Sequence, residues 1–297
     1  MGLPFDSDHP PESIMATGTQ PSSTDWTQNR DGLALELANL ASQAGRAVMA
    51  IYADGFEVID KSDGSPLTRA DLAADEIVAK GLNALAPSIP VLSEESAETV
   101  EPSALGDVFF VVDPLDGTRE FVEKNGEFSV NIALVESGVP TVGVVYAPAH
   151  DKMWLAGDTA FAAKVLPGDA VGKDDINAIT TCPEPDTPIR AVASRSHRDA
   201  KTEAFLGKMS GCNTTTIGSA LKFCLVAEGK ADVYPRFGPT MVWDTAAGIA
   251  VLHAAGGMVL DEDGEPMRVH FGKDGWRNGA FTAWGCEKLK EQTDKNG

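Results

Sequence analysis

The sequence is poor in the residues that build covalent frameworks. It has four cysteines in 297 residues, Cys182, Cys212, Cys224 and Cys286, and none forms a C-x-x-C pair. Cys224 sits inside the apolar run LKFCLVA. Isolated, buried thiols argue against a disulfide scaffold or a paired-cysteine zinc site and fit a reducing cytoplasm. Apolar runs long enough for a membrane span, ~20 residues, are also missing. The opening stretch MGLPFDSDHPPESIMATGTQPSSTDW has neither the basic nor the apolar segment of a signal peptide. Basic residues are scarce: 24 Lys and Arg stand against 44 Asp and Glu, a net charge of -20. Such a surface excludes nucleic-acid polymers and anionic membranes as natural partners. The expectation is a cytoplasmic protein without a transmembrane segment, its oligomeric state left open.

Familiar catalytic signatures are absent too. GDAVGKD is one residue short of a P-loop and lacks Ser or Thr after Lys173. SHRDAKTEA carries His197-Arg198-Asp199 but has Ala204 where a kinase needs Asn. The five histidines make no H-E-x-x-H pair.

What is present is a long chain with an organised pattern. Residues 1–29 are rich in Pro, Ser, Thr and Asp and read as a disordered tail. Leu33, Leu37, Leu40, Ala44, Ala47, Val48 and Ile51 then share one helical face, and Thr68-Arg69-Ala70-Asp71 opens a second helix striped by Leu72, Ile77 and Leu82. β-rich segments follow up to a polar, proline-containing stretch, after which strands and helices alternate. This divides the chain into an N-terminal α+β domain, 30–185, and a C-terminal α/β domain, 186–297.

The chemistry concentrates in acidic stretches. In VVDPLDGTREF (111–121) an apolar strand runs into Asp113, Pro114 and Asp116, then Gly117 and Thr118. Pro114 cannot donate to a ladder, so the strand is expected to end at Asp113. The turn would hold both aspartates, and the Leu115 carbonyl, at the carboxyl edge of a sheet, where α/β proteins bind ligands. Glu94 and Glu95 follow another strand, and Asp244 opens the small-residue helix WDTAAG. Each has a plain alternative: a capped turn, a solvated loop, and for Asp244 an N-cap. Asp71 likewise completes a T-x-x-D capping box. Taken together, oxygen-only ligands with no His or Cys nearby suit Mg²⁺ or Mn²⁺ rather than zinc. Two such ions ~4 Å apart would clamp the attacking and leaving oxygens of a phosphoryl transfer.

The ordered series SEES, DPLDGT and WDTAAG resembles the signature of the inositol monophosphatase superfamily, magnesium-dependent and lithium-sensitive phosphatases. DPLDGTREFV, ASRSHRD and GSALKFCLVAEGKADVYPRFGP narrow the likeness to its 3'(2'),5'-bisphosphate nucleotidases of the CysQ type, from about Gly32 to Cys286. The resemblance implies an α+β fold, a layered α-β-α-β-α sandwich, with the metal site between the two domains. It implies two or three Mg²⁺ ions, Mn²⁺ being an alternative, on Glu94, Asp113, Asp116, Asp244 and the Leu115 carbonyl. Asp71 and Thr118 would orient the attacking water, with Glu94 or the Asp71–Thr118 pair taking its proton. Gly117 and Thr118 would hold the phosphate at a helix start. Ser219, Lys222 and Arg236 would contact the 5'-phosphate and ribose, and His197 the nucleotide; Arg195 adds a further cation to the group. The substrate so implied is a bisphosphorylated nucleotide, 3'-phosphoadenosine 5'-phosphate (PAP) or its sulfated analogue PAPS, and the role sulfur metabolism. An inositol or fructose 1,6-bisphosphate phosphatase on the same metals, or a non-catalytic nucleotide-binding relative, stays open.

Overall fold

The computed structural model describes residues 26, 29–55, 58–60, 66–185, 187–195, 200–209 and 211–296. Most of the expected tail lies outside them, with only Trp26 and Asn29 of it described. Trp26 is buried in a hydrophobic cluster, and the Asn29 side chain accepts the Gly32 N–H as N-cap of α1 (Arg30–Asp54). A short antiparallel pair follows, β1 (Val58–Asp60) and β2 (Pro66–Thr68). Thr68 then caps α2 (Arg69–Leu85). The buried face of α2 is Ala70, Ala74, Val78 and Leu82, a four-residue repeat turned toward α1. Leu72, expected on that face, is 51% exposed. Its position is offset from that repeat, so the bulk of a leucine did not decide the face.

Seven strands form the first sheet: β3 (Val91–Ser93), β4 (Val108–Asp116), β5 (Ser129–Glu136), β6 (Val139–Ala147), β7 (Lys152–Ala156), β8 (Ala160–Lys164) and β9 (Ile176–Ala178), in that spatial order. Only the β3–β4 pairing is parallel. Strands β5 and β6 are joined by Ser137 and Gly138 at φ 50° and 79°, the double positive φ of a tight hairpin whose twist matches its strands. The short helix α3 (Thr118–Val122) separates β4 from β5.

The second sheet has five strands in the order β11 (Asn213–Ile217), β10 (Arg190–Ser194), β12 (Val233–Arg236), β16 (Phe281–Trp284), β14 (Met258–Asp261). Four helices flank it: α4 (Ala200–Lys208), α5 (Leu221–Ala227), α6 (Val242–Ala254) and α7 (Glu287–Asn296). Strands β13 (Thr240–Met241) and β15 (Arg277–Asn278) pair apart from it.

The continuously apolar strands are explained by burial on both faces. Phe110 and Val112 of β4 face the cluster under α1 and α2, whereas Phe109 and Val111 face the cluster around α5 and α6. A third cluster lies between the second sheet and the outer helices α4 and α7. The layers are therefore α, β, α, β, α. Helix α6 is wedged between two sheets, which demands small residues. A Cβ on Gly143 of β6 would stand 2.5 Å from the Ala247 carbonyl oxygen, and one on Gly248 2.5 Å from the Phe223 ring.

Candidate active site

Strand β4 does not stop at Asp113. Its pairing with β5 jumps from Asp113↔Asn131 to Asp116↔Ser129, so Pro114 and Leu115 form a bulge inside the strand. A bulge tolerates the missing proline N–H and re-aims side chains locally. Asp113 and Asp116 are thereby directed to one place. The Leu115 N–H donates to Asp113 Oδ1 at 3.0 Å. Gly117 follows at φ 88°, and a Cβ there would approach the Glu127 carbonyl to 3.1 Å, so both conformation and space call for glycine.

Asp244 arrives from the opposite direction. It is the third residue of α6, where its Oδ2 accepts the Met241 N–H at 2.8 Å, so it caps from within the first turn and not as the N-cap residue. Ligand oxygens of Asp113, Asp116 and Asp244 all lie within 4.8 Å of one another. Glu94, on the 3-10 turn after β3, lines the same cavity of about 290 Å³ but stands outside that trio. Burial, then the charge of Glu94 and the other two aspartates, pushes the Asp113 carboxyl well up. Burial raises Asp116 against the pull of Lys222, and burial with Asp116 pushes Asp244 up to about 8. Three crowded carboxylates, oxygen-only and oriented by backbone donors, suit a hard divalent cation, which would neutralise their repulsion.

Asp71 serves two structures at once. Its Oδ2 accepts the Thr68 N–H at 2.8 Å and hydroxyl at 2.7 Å, completing the capping box. Its Oδ1 lies 3.2 Å from the Thr118 hydroxyl, which has the Leu115 carbonyl as a second acceptor at 3.1 Å. Asp71 is buried, so this geometry is fixed by packing.

The same cavity is lined by cations of the second half. Lys222 is buried on α5; its ammonium donates to the Ser219 carbonyl and lies 5.3 Å from the Tyr234 ring. Burial lowers it to about 8, with Asp116 opposing the fall. The buried Arg236 guanidinium is held by the carbonyls of Gly238 at 3.2 Å and Pro239 at 2.8 Å. Leu115, Gly117, Thr118, Ser219, Lys222 and Arg236 all line the cavity with the acidic residues. His197 lies outside the described residues. Arg195 is not part of the lining: its guanidinium grips Glu127 bidentately and reaches the Thr216 carbonyl. The folded chain brings this cation a carboxylate 68 residues away.

Asn131 is a site residue that sequence reading missed. Its amide donates to Asp116 Oδ2 at 3.3 Å, and its backbone stands opposite Asp113. The available signal was one amide in the otherwise apolar run VNIALV of that strand.

The profile of the "Inositol monophosphatase family" matches residues 31–292. The chain is 46% identical over 236 residues to "3'(2'),5'-bisphosphate nucleotidase CysQ" of Shigella flexneri, covering 78% of this chain and 92% of that one. The protein of the same name in Escherichia coli K12 is 46% identical over 235 residues, with the same coverage. Among solved structures, CysQ of Bacteroides thetaiotaomicron, described as a bacterial member of the inositol monophosphatase family, superposes with a TM-score of 0.75. The two share 37% identity over 87% of this chain and 98% of that one.

Proposed function

The chain belongs to the inositol monophosphatase family, and on that premise we propose that it hydrolyses the 3'-phosphate of PAP to give AMP and phosphate, with PAPS as a second substrate. One observation carries the reading: a single cavity is lined both by the aspartate trio and by buried Lys222 and Arg236. A substrate with one phosphate to lose at the carboxylates and another to keep at the cations fits that lining. We place the junction between the two domains, 30–185 and 186–297, at this cavity, and the protein in the cytoplasm.

Asp113, Asp116 and Asp244, with Glu94 and the Leu115 carbonyl, would hold Mg²⁺, two ions or more, with Mn²⁺ as a substitute. When bound, the cation supplies charge neutralisation at the phosphoryl oxygens and acidifies a water at neutral pH. The protein's own groups do the rest. Asp71 accepts the Thr118 proton, which turns the Thr118 oxygen lone pairs toward a water and fixes its line of attack. The water's oxygen forms the new bond to phosphorus as the bond to the 3'-oxygen breaks. The proton released from the water passes to Glu94 or to the Asp71–Thr118 pair and from there to solvent, while the leaving oxygen takes a proton from a solvent water and ends as a ribose hydroxyl. Backbone N–H groups at Gly117 and Thr118 receive the transferred phosphate at the start of α3. Lys222, Arg236 and Ser219 hold the 5'-phosphate and ribose, and His197 the nucleotide, so that binding energy from the retained group orients the departing one.

The test is phosphate release with Mg²⁺ from PAP, inositol 1-phosphate and fructose 1,6-bisphosphate. A ~100-fold preference for PAP in kcat/KM, about 2.7 kcal/mol, is the expected result. Equal rates would remove the nucleotidase assignment and leave a broader phosphatase. No release from any of the three would leave a nucleotide-binding relative.

A further inference from the structure

We infer that Glu127 is a positioning residue that clamps the Gly218–Ala220 loop and through it fixes Asp116. The inference rests on Asp116 being a metal ligand, as proposed above.

Glu127 lies in the connection between α3 and β5, with its side chain 16% exposed. Its Oε2 accepts the Gly218 N–H at 2.8 Å and the Arg195 Nε–H at 2.9 Å, while Oε1 takes the remaining fork of Arg195. The loop is pressed onto it: a Cβ on Gly218 would stand 2.8 Å from the Glu127 carbonyl oxygen. The next residue, Ser219, has φ 55°, a left-handed conformation that a serine keeps only when its surroundings impose it.

That imposed turn has a use. Ser219 Oγ donates to Asp116 Oδ2 at 2.8 Å, and the Ala220 N–H donates to the same oxygen at 2.6 Å. The Ser219 carbonyl accepts the Lys222 ammonium. The loop therefore joins the acidic trio to the buried cation, and from the first half of the chain Glu127 holds its start through the Gly218 N–H while Ser129 Oγ meets Ser219 Oγ at 2.5 Å. Partners that orient a ligand carboxylate commonly change metal affinity or activity by ~10- to 100-fold when removed.

The experiment uses the purified full chain and Mg²⁺ alone, followed by thermal-shift titration, then PAP kinetics. Glu127→Ala is expected to raise the Mg²⁺ midpoint ~10-fold or more and to raise KM for PAP more than it lowers kcat. Glu127→Gln, which keeps an acceptor for the Gly218 N–H, is expected to lie between the two. A Glu127→Ala protein whose metal-free melting temperature falls while its Mg²⁺ midpoint stays at the wild-type value would overturn the inference, leaving a merely structural tie. Should Glu127→Ala fail to fold, a wild-type midpoint in Glu127→Gln overturns it equally, and a midpoint raised ~3-fold or more upholds it. A wild-type protein without any Mg²⁺-dependent shift removes the metal site and this inference together. One that binds Mg²⁺ but spares PAP removes only the nucleotidase reading, and the Mg²⁺ midpoints still decide the role of Glu127.

Discussion

Replacing Asp244 by Asn is expected to stabilise the metal-free protein while destroying its response to metal. The carboxyl ordinarily ionises near 3.8 and here is pushed up to about 8, first by burial and then by Asp116. Below pH 3.8 the folded and unfolded chains both carry the proton, and the residue is neutral toward stability. As the pH rises from about 4 to about 8 the unfolded chain has released the proton that the fold retains, so stability falls through that window. At about 1.4 kcal/mol per pH unit, the full opposition above pH 8 is on the order of 6 kcal/mol. The charge is shared with Asp113 and Asp116, and water enters the cavity, so roughly half of this, about 2–3 kcal/mol, should be recovered by the neutral amide. For a chain of this size, with an unfolding entropy of about 0.6 kcal/mol/K, that is a rise of roughly 3–5 °C in melting temperature at pH 8. Asn retains an oxygen for the Met241 N–H, so the cap on α6 survives. The assay is thermal unfolding in chelator at pH 5 and pH 8, then with saturating Mg²⁺. Wild type should gain about 2.7 kcal/mol at 100-fold excess over Kd, and the variant little. A variant that melts below wild type in chelator at pH 8, or that keeps the full Mg²⁺ gain, would refute the reasoning.

Two further expectations follow from the same geometry. Lys222→Met keeps the buried aliphatic stem but removes the cation, so kcat/KM for PAP should fall by about 10- to 150-fold, the range of a charge-assisted hydrogen bond of 1.5–3 kcal/mol. Hydrolysis of inositol 1-phosphate should fall far less; an equal loss on both substrates would place Lys222 with Asp116 and the metal instead of the second phosphate. Gly143→Ala puts a methyl group 2.5 Å from the backbone oxygen of Ala247 in the wedged helix. It should destabilise by about 1–3 kcal/mol in chemical denaturation without altering the Mg²⁺ midpoint, and an unchanged unfolding midpoint would show that β6 and α6 separate more readily than their packing indicates.

The sequence by itself determined the parts whose cause is local. The capping box at Thr68 and Asp71, the hairpin at Ser137-Gly138 and the doubly buried strands are each legible because a few neighbouring residues decide them. The acidic stretches were legible as candidates because hard-ion ligands need carboxylates at breaks in regular structure. Tertiary structure decided what distance along the chain conceals. Proline's missing donor predicted that β4 would end at Asp113, but pairing with β5 on the far side of a bulge carried the strand to Asp116. Arg195 read as one more cation of the group, and folding delivered Glu127 to it. Leu72 read as core, yet the α1 contact surface selected Ala70, Ala74 and Val78 instead. Above all, the gathering of Asp113, Asp116 and Asp244 within 4.8 Å is a property of β4 and α6 meeting between two sheets. Local sequence sets each side chain's conformation; only long-range packing, by excluding water and bringing like charges together, crowds those carboxylates into one buried cluster.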